Sequence, residues 1–197
     1  MAPLPPFTVF DLETTGLDPL KGEKIIEIAG MRIENGIIRD DVPFVHLVNP
    51  EKPIPWEAKQ IHKISDDDVS HAATIDTVLP QFLQFAQGSI LVAHNAPFDM
   101  GFLSVEKECC WGYIDLPECL CTMRLSQTLF PHEFRHSLDI VAHRLNLDIP
   151  TQRHRALPDV LMTAKALLQM IHRGSIQSIG ELRMKAGLRP LVSARKG

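Results

Sequence analysis

The stretch FTVFDLE, residues 7–13, joins a run of strand-forming residues to two acids at alternate positions. The bulky apolar residues predict a strand buried on both faces, which places it inside a sheet. Side chains alternate along a strand, so Asp11 and Glu13 are expected to point to the same side, next to each other. Two carboxylates this close repel unless protons or a cation lie between them. Solvated acids at an exposed strand end are the alternative interpretation of this pair.

The rest of the chain predicts a mixed sheet surrounded by helices. KIIEIAGMRI and IIRDDVPFVHLV are typical of the two strands of a hairpin, because Asn35-Gly36 between them favours a tight turn. SILVAHN predicts a further strand, and TIDTVLPQFLQF, TMRLSQTLF, SLDIVAHRLNL and DVLMTAKALLQMIHR predict helices. This succession is typical of an α/β fold. The 197 residues are enough for one domain, predicted at residues 1–173, followed by a basic C-terminal tail at 174–197.

Two further acids stand at the borders of predicted elements. Asp99 follows the strand SILVAHN, where ligands often bind in α/β proteins, although it would be a capping residue if a helix begins at Met100. Pro158 favours the first turn of a helix, so Asp159 is expected in that turn and His154 in the loop before it. An aspartate there often only complements the helix dipole, and a lone histidine is more often structural than catalytic. Together, however, four acids and an imidazole are typical of a site for hard divalent cations with a base beside it.

Charge and composition restrict the function further. The net charge is −4, but residues 151–197 hold nine Lys and Arg residues against two acids, which is a net charge of +7 in this end alone. The remaining residues carry −11, so a polyanionic substrate is tolerable only beside metal ions or this basic end. The four cysteines, Cys109, Cys110, Cys119 and Cys121, lack the spacing of a zinc site and are expected to be reduced. The sequence indicates neither a membrane span nor a secretory signal, which favours a cytoplasmic location.

Three motifs taken together identify a family. DLETTGLDP (residues 11–19), HNAPFDMGFL (94–103) and HRALPD (154–159) resemble, in this order, the three exonuclease motifs of the DEDDh, or DnaQ-like, 3′–5′ exonucleases. The resemblance covers about residues 7–172 and is strongest to the proofreading epsilon-subunit type of bacterial DNA polymerase III. It implies an RNase H-like fold, with five strands flanked by helices. It also implies metal-dependent release of 5′-mononucleotides from DNA 3′ ends, in proofreading or repair.

The resemblance assigns a role to each matching residue. Asp11, Glu13 and Asp159 would bind two divalent cations, Mg²⁺ or Mn²⁺. Asp99 would contribute to the site of the second cation, and His154 would be the general base. Contacts to the terminal nucleotide are implied for residues in the motifs and in the stretch PWEAKQIH: Glu13, Thr15, Gly16, Leu17, Glu57, His62, Asn95, Phe98 and His154. Leu17 and Phe98 are the candidates to pack against the terminal bases, although either could belong to the core.

Several points stay open at this level. Lys63 stands where the family usually has glycine, in IHGI, beside the implied substrate site. An RNA 3′ exonuclease of the oligoribonuclease or RNase T type is the nearest alternative, because only a contact to the 2′-OH separates the substrates. A non-catalytic nucleic-acid-binding module is a further alternative; it would be indicated by loss of an acid, and none is lost. The expected ligand is a single-stranded or frayed DNA 3′ end, and the implied partner is a DNA polymerase subunit.

Overall fold

The strands form one sheet with helices on both faces. The computed structural model describes residues 4–110, 115–150 and 155–188. The strands are β1 (Phe7–Thr14), β2 (Ile25–Glu34), β3 (Ile37–Leu47), β4 (Ile90–Ala93) and β5 (Cys119–Cys121). The helices are α1 (Trp56–His62), α2 (Asp66–Val69), α3 (Ile75–Phe85), α4 (Ala96–Glu106), α5 (Thr122–Leu129), α6 (Leu138–Arg144), α7 (Ala156–Arg173) and α8 (Ile179–Ala186), with 3-10 turns at Pro19–Lys21 and Lys107–Cys109.

The sheet is mixed, as the sequence predicts. Its strand order is β3-β2-β1-β4-β5, so β1 is the central strand. β1 pairs antiparallel with β2 and parallel with β4, while β2–β3 is antiparallel and β4–β5 parallel. The predicted hairpin is confirmed: Asn35 and Gly36 both adopt positive φ, 53° and 77°, as its tight turn requires. The predicted α/β fold, a five-stranded mixed sheet flanked by helices, is therefore confirmed.

Each face of the sheet is covered by its own set of helices. On one face, Phe7 and Val9 of β1 share a buried cluster with Val160 and Leu167 of α7. On the other face, Phe10 and Leu12 share a second cluster with residues of α3 and α4, among them Phe82 and Phe102. Because side chains alternate along β1, Asp11 and Glu13 continue the face that α7 covers. The described ranges contain no helix with the length and apolar character needed to cross a bilayer.

The segment after α7 belongs to the same core. Ile176, Leu182 and Ala186 are buried in the cluster that α7 forms with the sheet. Gly187 adds a β-bridge to Leu120 of β5, and Arg183 forms an ion pair with Glu118. Part of the predicted C-terminal tail, 174–197, therefore packs against the core, because α8 buries apolar side chains there. The basic residues Arg189, Arg195 and Lys196 lie outside the described residues.

Candidate active site

Three carboxylates from two distant parts of the chain converge at the end of the central strand. Asp11 and Glu13 lie near the carboxyl end of β1, and Asp159 lies in the first turn of α7. One potential ligand atom from each residue lies within 4.8 Å of those of the other two. The sequence predicted that these three acids act together, and the structure brings them together. Carboxylate oxygens at this separation are a donor set that fits a divalent cation.

The fold explains why the helix delivers Asp159 to this point. Val160 and Leu167 hold α7 against β1 and β2, so the first turn of α7 lies beyond Val9, where the acids of β1 begin. Ala156 is the first residue of α7, which places Pro158 in the first turn, as expected from its fixed φ and missing N–H. The apolar half of β1 therefore anchors the helix, and the acidic half faces its N-terminal turn.

Asp99 approaches the same strand from the opposite side. It is 2% exposed and lies in the first turn of α4, which begins at Ala96. The expected helix start at Met100 is therefore wrong by one turn, and Asp99 does not occupy the capping position; Asn95 does. The backbone N–H of Leu12 donates a hydrogen bond to the Asp99 carboxylate. Asp99 thus lies next to β1, although its oxygens are not among those that converge within 4.8 Å.

The electrostatics of this cluster follow from burial and like charge. Burial raises the pKa of Asp11 well above its usual range, and the neighbouring Asp99, Glu13 and Asp159 raise it further. Burial also raises the pKa of Glu13 to about 8, with Glu27 and Asp159 adding to the shift. The pKa of Asp99 is raised, again by burial first. Without a cation the acids retain protons that they would lose in water, and a divalent cation would replace those protons.

Two residues that the sequence analysis missed support this cluster. Glu27 of β2 is 1% exposed and lies directly opposite Glu13 in the antiparallel pair. Its carboxylate accepts hydrogen bonds from Nε and Nη2 of Arg155, the residue that precedes α7. A glutamate inside the otherwise apolar stretch IIEIAG was the available signal, since buried acids are rare unless they are paired.

His62, at the end of α1, offers a buried donor. It is 2% exposed, and its Nδ1 accepts a hydrogen bond from the backbone N–H of Ile64 at 3.0 Å. The proton of the neutral ring therefore resides on Nε2, which has no hydrogen-bond partner within the described part of the chain. Burial lowers the pKa of His62, so the neutral form is favoured. Glu57, predicted to act with His62, lies on the exposed side of the same helix.

The loop after β1 places the exposed side chain of Leu17 next to a segment that is fixed by hydrogen bonds. Thr15 is buried; its hydroxyl donates to Glu23 and accepts from the backbone N–H of Lys24 at 2.9 Å. A Cβ on Gly16 would lie only 2.7 Å from the Glu23 side chain, so this position requires glycine unless Glu23 moves. Leu17, next along, is 84% exposed.

The remaining predicted substrate residues differ in their surroundings. Phe98 is half-buried and packs against Phe102, with ring centroids 5.1 Å apart, so it belongs in part to the core. Asn95 is exposed and adopts the left-handed conformation immediately before α4, with φ 64°. His154, predicted as the general base, lies outside the described residues.

Comparison with known proteins decides the family. The family model described as Exonuclease matches residues 8–167. The chain belongs to this exonuclease family. A DNA polymerase III subunit epsilon from Rickettsia typhi is 34% identical over 167 residues, which cover 82% of this chain and 72% of that protein. The DEDDh, epsilon-like exonuclease identity predicted from the three motifs is confirmed.

Two further matches describe how far the exonuclease likeness extends. A DNA polymerase III subunit epsilon-like protein from Rhodobacter capsulatus is 43% identical over 166 residues, or 84% of this chain. The exonuclease chain spans only 23% of that relative's length. Among solved structures, Exonuclease X in complex with 5′-overhanging duplex DNA is 29% identical, with a TM-score of 0.72 over 91% of this chain and 99% of that one.

Proposed function

We propose that this exonuclease domain acts on DNA, removing nucleotides one at a time from 3′ ends. The observation that carries the proposal is the convergence of Asp11, Glu13 and Asp159 at the end of the central strand. The raised pKa values of Asp11 and Glu13, and the repulsion that Asp159 adds to both, make the ionised cluster unfavourable unless positive charge is supplied. A phosphodiester backbone bound at such an acidic site needs the same positive charge.

The acids divide into ligands and support in this proposal. Asp11, Glu13 and Asp159 hold two divalent cations, and Asp99 contributes to the site of the second. Mg²⁺ and Mn²⁺ are the proposed ions because both prefer carboxylate oxygens. When bound, these ions supply Lewis-acid activation of the nucleophile and stabilisation of the leaving 3′ oxygen. His154 is the proposed general base, because imidazole changes its protonation near neutral pH and this residue lies five positions before Asp159.

The surroundings of the cluster supply candidate contacts to the terminal nucleotide. The buried Nε2–H of His62 is a donor that a substrate oxygen can satisfy, because it lacks a partner in the described chain. The exposed side chain of Leu17 supports its proposed packing against a terminal base, whereas Phe98 already packs against Phe102. Single-stranded or frayed ends are the expected substrates, because a paired terminal nucleotide must first be separated from its partner.

The choice of DNA rests on relatives. The epsilon relative bears a polymerase-subunit name, and the Exonuclease X structure contains duplex DNA. A proofreading or repair role, and a DNA polymerase subunit as partner, follow from that likeness as part of the proposal. A cytoplasmic location belongs to the proposal in the same way.

The deciding experiment compares three substrates labelled at the 3′ end: single-stranded DNA, duplex DNA with a mismatched end, and single-stranded RNA of matched sequence. The proposal expects release of 5′-mononucleotides from both DNA substrates with Mg²⁺ or Mn²⁺, and none in EDTA. Faster degradation of the RNA would favour the oligoribonuclease alternative. Binding without degradation in either metal would indicate the non-catalytic module.

A further inference from the structure

We propose that Glu27 and Arg155 are positioning residues that fix the start of α7 and thereby hold Asp159 against Asp11 and Glu13. The inference rests on the proposed function, since it assigns a task to two residues that support the same metal site. Neither residue has an oxygen or nitrogen in the converging ligand group. They act through the backbone of the helix that carries Asp159.

The start of α7 is capped by a residue from the sheet. Arg155 occupies the position before the helix, with extended backbone at φ −131° and ψ 140°, and its side chain makes no capping hydrogen bond. The Glu27 carboxylate of β2 caps the helix instead, since its Oε2 accepts a hydrogen bond from the backbone N–H of Ala156 at 3.0 Å. The negative charge also complements the positive end of the helix dipole.

Glu27 also forms an ion pair with Arg155. Nη2 of Arg155 lies 2.6 Å from Oε1 of Glu27, and Nε lies 3.2 Å and 3.1 Å from the two carboxylate oxygens. With Ala156, the Glu27 carboxylate therefore accepts hydrogen bonds from two consecutive residues. A planar guanidinium held at two points fixes direction as well as distance. The chain entering α7 is thus tied to β2 immediately after His154 in sequence.

The position of Glu27 links this anchor to two of the proposed metal ligands, Glu13 and Asp159. Glu27 is the direct cross-strand neighbour of Glu13, so the two side chains emerge on the same face of the sheet. Asp159 follows Ala156 by three residues and lies on the same side of the helix, one turn further along. One strand pair therefore determines both where Glu13 points and where the helix carrying Asp159 begins.

The position of Glu27 opposite Glu13 is electrostatically unfavourable. Like charges directly opposite one another in a sheet are destabilising, and Glu27 raises the pKa of Glu13. Arg155 opposes this effect, since its positive charge lowers the pKa of Glu13.

The test uses two variants and a matched control. Glu27→Gln removes the charge while keeping an acceptor, and Arg155→Ala removes the two-point contact. Arg183→Ala is the control, because Arg183 binds Glu118 with the same geometry, with Nη2 to Oε2 at 2.7 Å, at an exposed place outside the ligand group. Each protein is titrated with Mn²⁺ alone by calorimetry, and kcat and KM are measured separately on a short single-stranded DNA.

The positioning role predicts a specific pattern. Mn²⁺ affinity and kcat should each fall by about 10- to 100-fold in Glu27→Gln and Arg155→Ala, while KM changes little. The double variant should be no worse than the poorer single one, because both residues act through one contact. Arg155→Lys, which keeps the charge without the planar fork, should recover only part of the loss. Arg183→Ala should match the parent in both measurements.

A different pattern would overturn the inference. If the variants melt at lower temperature but bind Mn²⁺ and turn over like the parent below that temperature, the pair only stabilises α7. Should Glu27→Gln fail to fold, Arg155→Lys alone still distinguishes the two roles through its Mn²⁺ affinity. A parent protein that binds Mn²⁺ but degrades neither DNA nor RNA would contradict the proposed function, while the Mn²⁺ titrations would still test the positioning.

Discussion

Asp99 lies beside Asp11 near the carboxyl end of β1, and it raises the pKa of Asp11 more than any other charged neighbour. Asp99 is fixed in place by the N–H of Leu12, the residue next to Asp11 in the strand. Asp99 therefore cannot turn away from Asp11 without losing this hydrogen bond. A divalent cation bound beside the two carboxylates would replace the protons that their raised pKa values retain.

We predict that Asp11→Asn abolishes nuclease activity and stabilises the metal-free protein. The substitution removes a proposed metal ligand and, with it, the charge that Asp99, Glu13 and Asp159 oppose. A gain of about 1 kcal/mol would raise Tm by about 2–4 °C in a chain of this size. Turnover on labelled DNA and thermal melting in EDTA at pH 8 measure the two effects. Undiminished turnover in Asp11→Asn, or in EDTA, would contradict the proposed metal mechanism.

The stability of the metal-free protein should fall as the pH rises from about 4 to 8. Asp11, Glu13 and Asp99 have raised pKa values in the folded state, that of Glu13 being about 8. Between the ordinary carboxyl pKa of about 4 and this raised range, the folded protein binds more protons than the unfolded chain. These three groups therefore make stability decrease with pH in that window, and they outnumber the opposing group His62, whose lowered pKa favours the folded state as the pH rises. Urea unfolding in EDTA at a series of pH values measures this slope.

Two comparisons isolate the source of that pH dependence. The double variant Asp11→Asn, Glu13→Gln should show a flatter profile, because two of the raised groups no longer titrate. Saturating Mn²⁺ should flatten the profile of the parent, since bound cations stabilise the ionised acids and the folded state with them. An equal slope in all three samples would place the pH dependence elsewhere in the protein.

Local sequence rules were sufficient for the parts of the site that lie within one element. Alternation along β1 predicted that Asp11 and Glu13 share a face, and Pro158 predicted the first turn that carries Asp159. The pairing of Glu27 with Arg155 joins residues 128 positions apart, and no local period reports such a contact. The strand β5 was also not predicted from the residues alone, because its three residues, CLC, are too few to show a period.

His154→Ala is expected to lower kcat by about 10²–10⁴, the usual contribution of a general base. Mn²⁺ affinity should change little, because the proposed ligands are all carboxylates. Single-turnover rates on single-stranded DNA and calorimetric Mn²⁺ titration measure the two quantities. A large loss of Mn²⁺ binding would instead make His154 a ligand or a support for Asp159.

Lys63→Gly is expected to stabilise the protein. Lys63 follows α1 in the left-handed conformation, with φ 62°, and its N–H closes the helix on the carbonyl of Lys59. A residue with a Cβ loses about 1–2 kcal/mol there, whereas glycine does not, which explains why glycine suits this position. Part of the gain is offset because glycine makes the unfolded chain more flexible. A rise in Tm of about 2–4 °C is expected by thermal melting.

Lys63→Ala is the control for this prediction. Alanine removes the same long side chain but keeps the Cβ, so the backbone strain remains and no stabilisation is expected. Equal melting temperatures for the glycine and alanine variants would show that the Lys63 side chain, and not its backbone conformation, determines the effect.

The helix α8 was not predicted from the sequence because it is short and its apolar residues show only a weak periodicity. Its apolar residues Ile179, Leu182 and Ala186 stand among charged ones, and the net positive charge of the segment predicted only a basic tail. Burial in the cluster that α8 shares with α5 and α7 is a tertiary effect that depends on the apolar side chains of those helices. Two cations of the predicted tail form ion pairs: Arg183 with Glu118, and Lys185 with Glu181.

Two truncations separate the folded segment from the residues beyond it. Ending the chain at Arg173 removes the buried side chains of Ile176 and Leu182, so a loss of at least about 3 kcal/mol is expected by urea unfolding. Ending it at Leu188 keeps α8 and removes only Arg189, Arg195 and Lys196 among charged residues. This shorter truncation should unfold like the parent. Equal loss of stability in both proteins would contradict the structural role of α8.

The truncation at Leu188 also tests whether the terminal cations bind substrate. If they contact the strand behind the cleaved end, KM for a long single-stranded DNA should rise and its dependence on salt should weaken. Each lost phosphate contact lowers the slope of log affinity against log salt by about 0.7 on single strands, so three lost contacts lower it by about 2. The rate on a dinucleotide, too short to extend behind the cleaved end, should stay the same. An unchanged salt slope on long DNA would exclude this substrate role and make a protein partner the better explanation for the terminal charge.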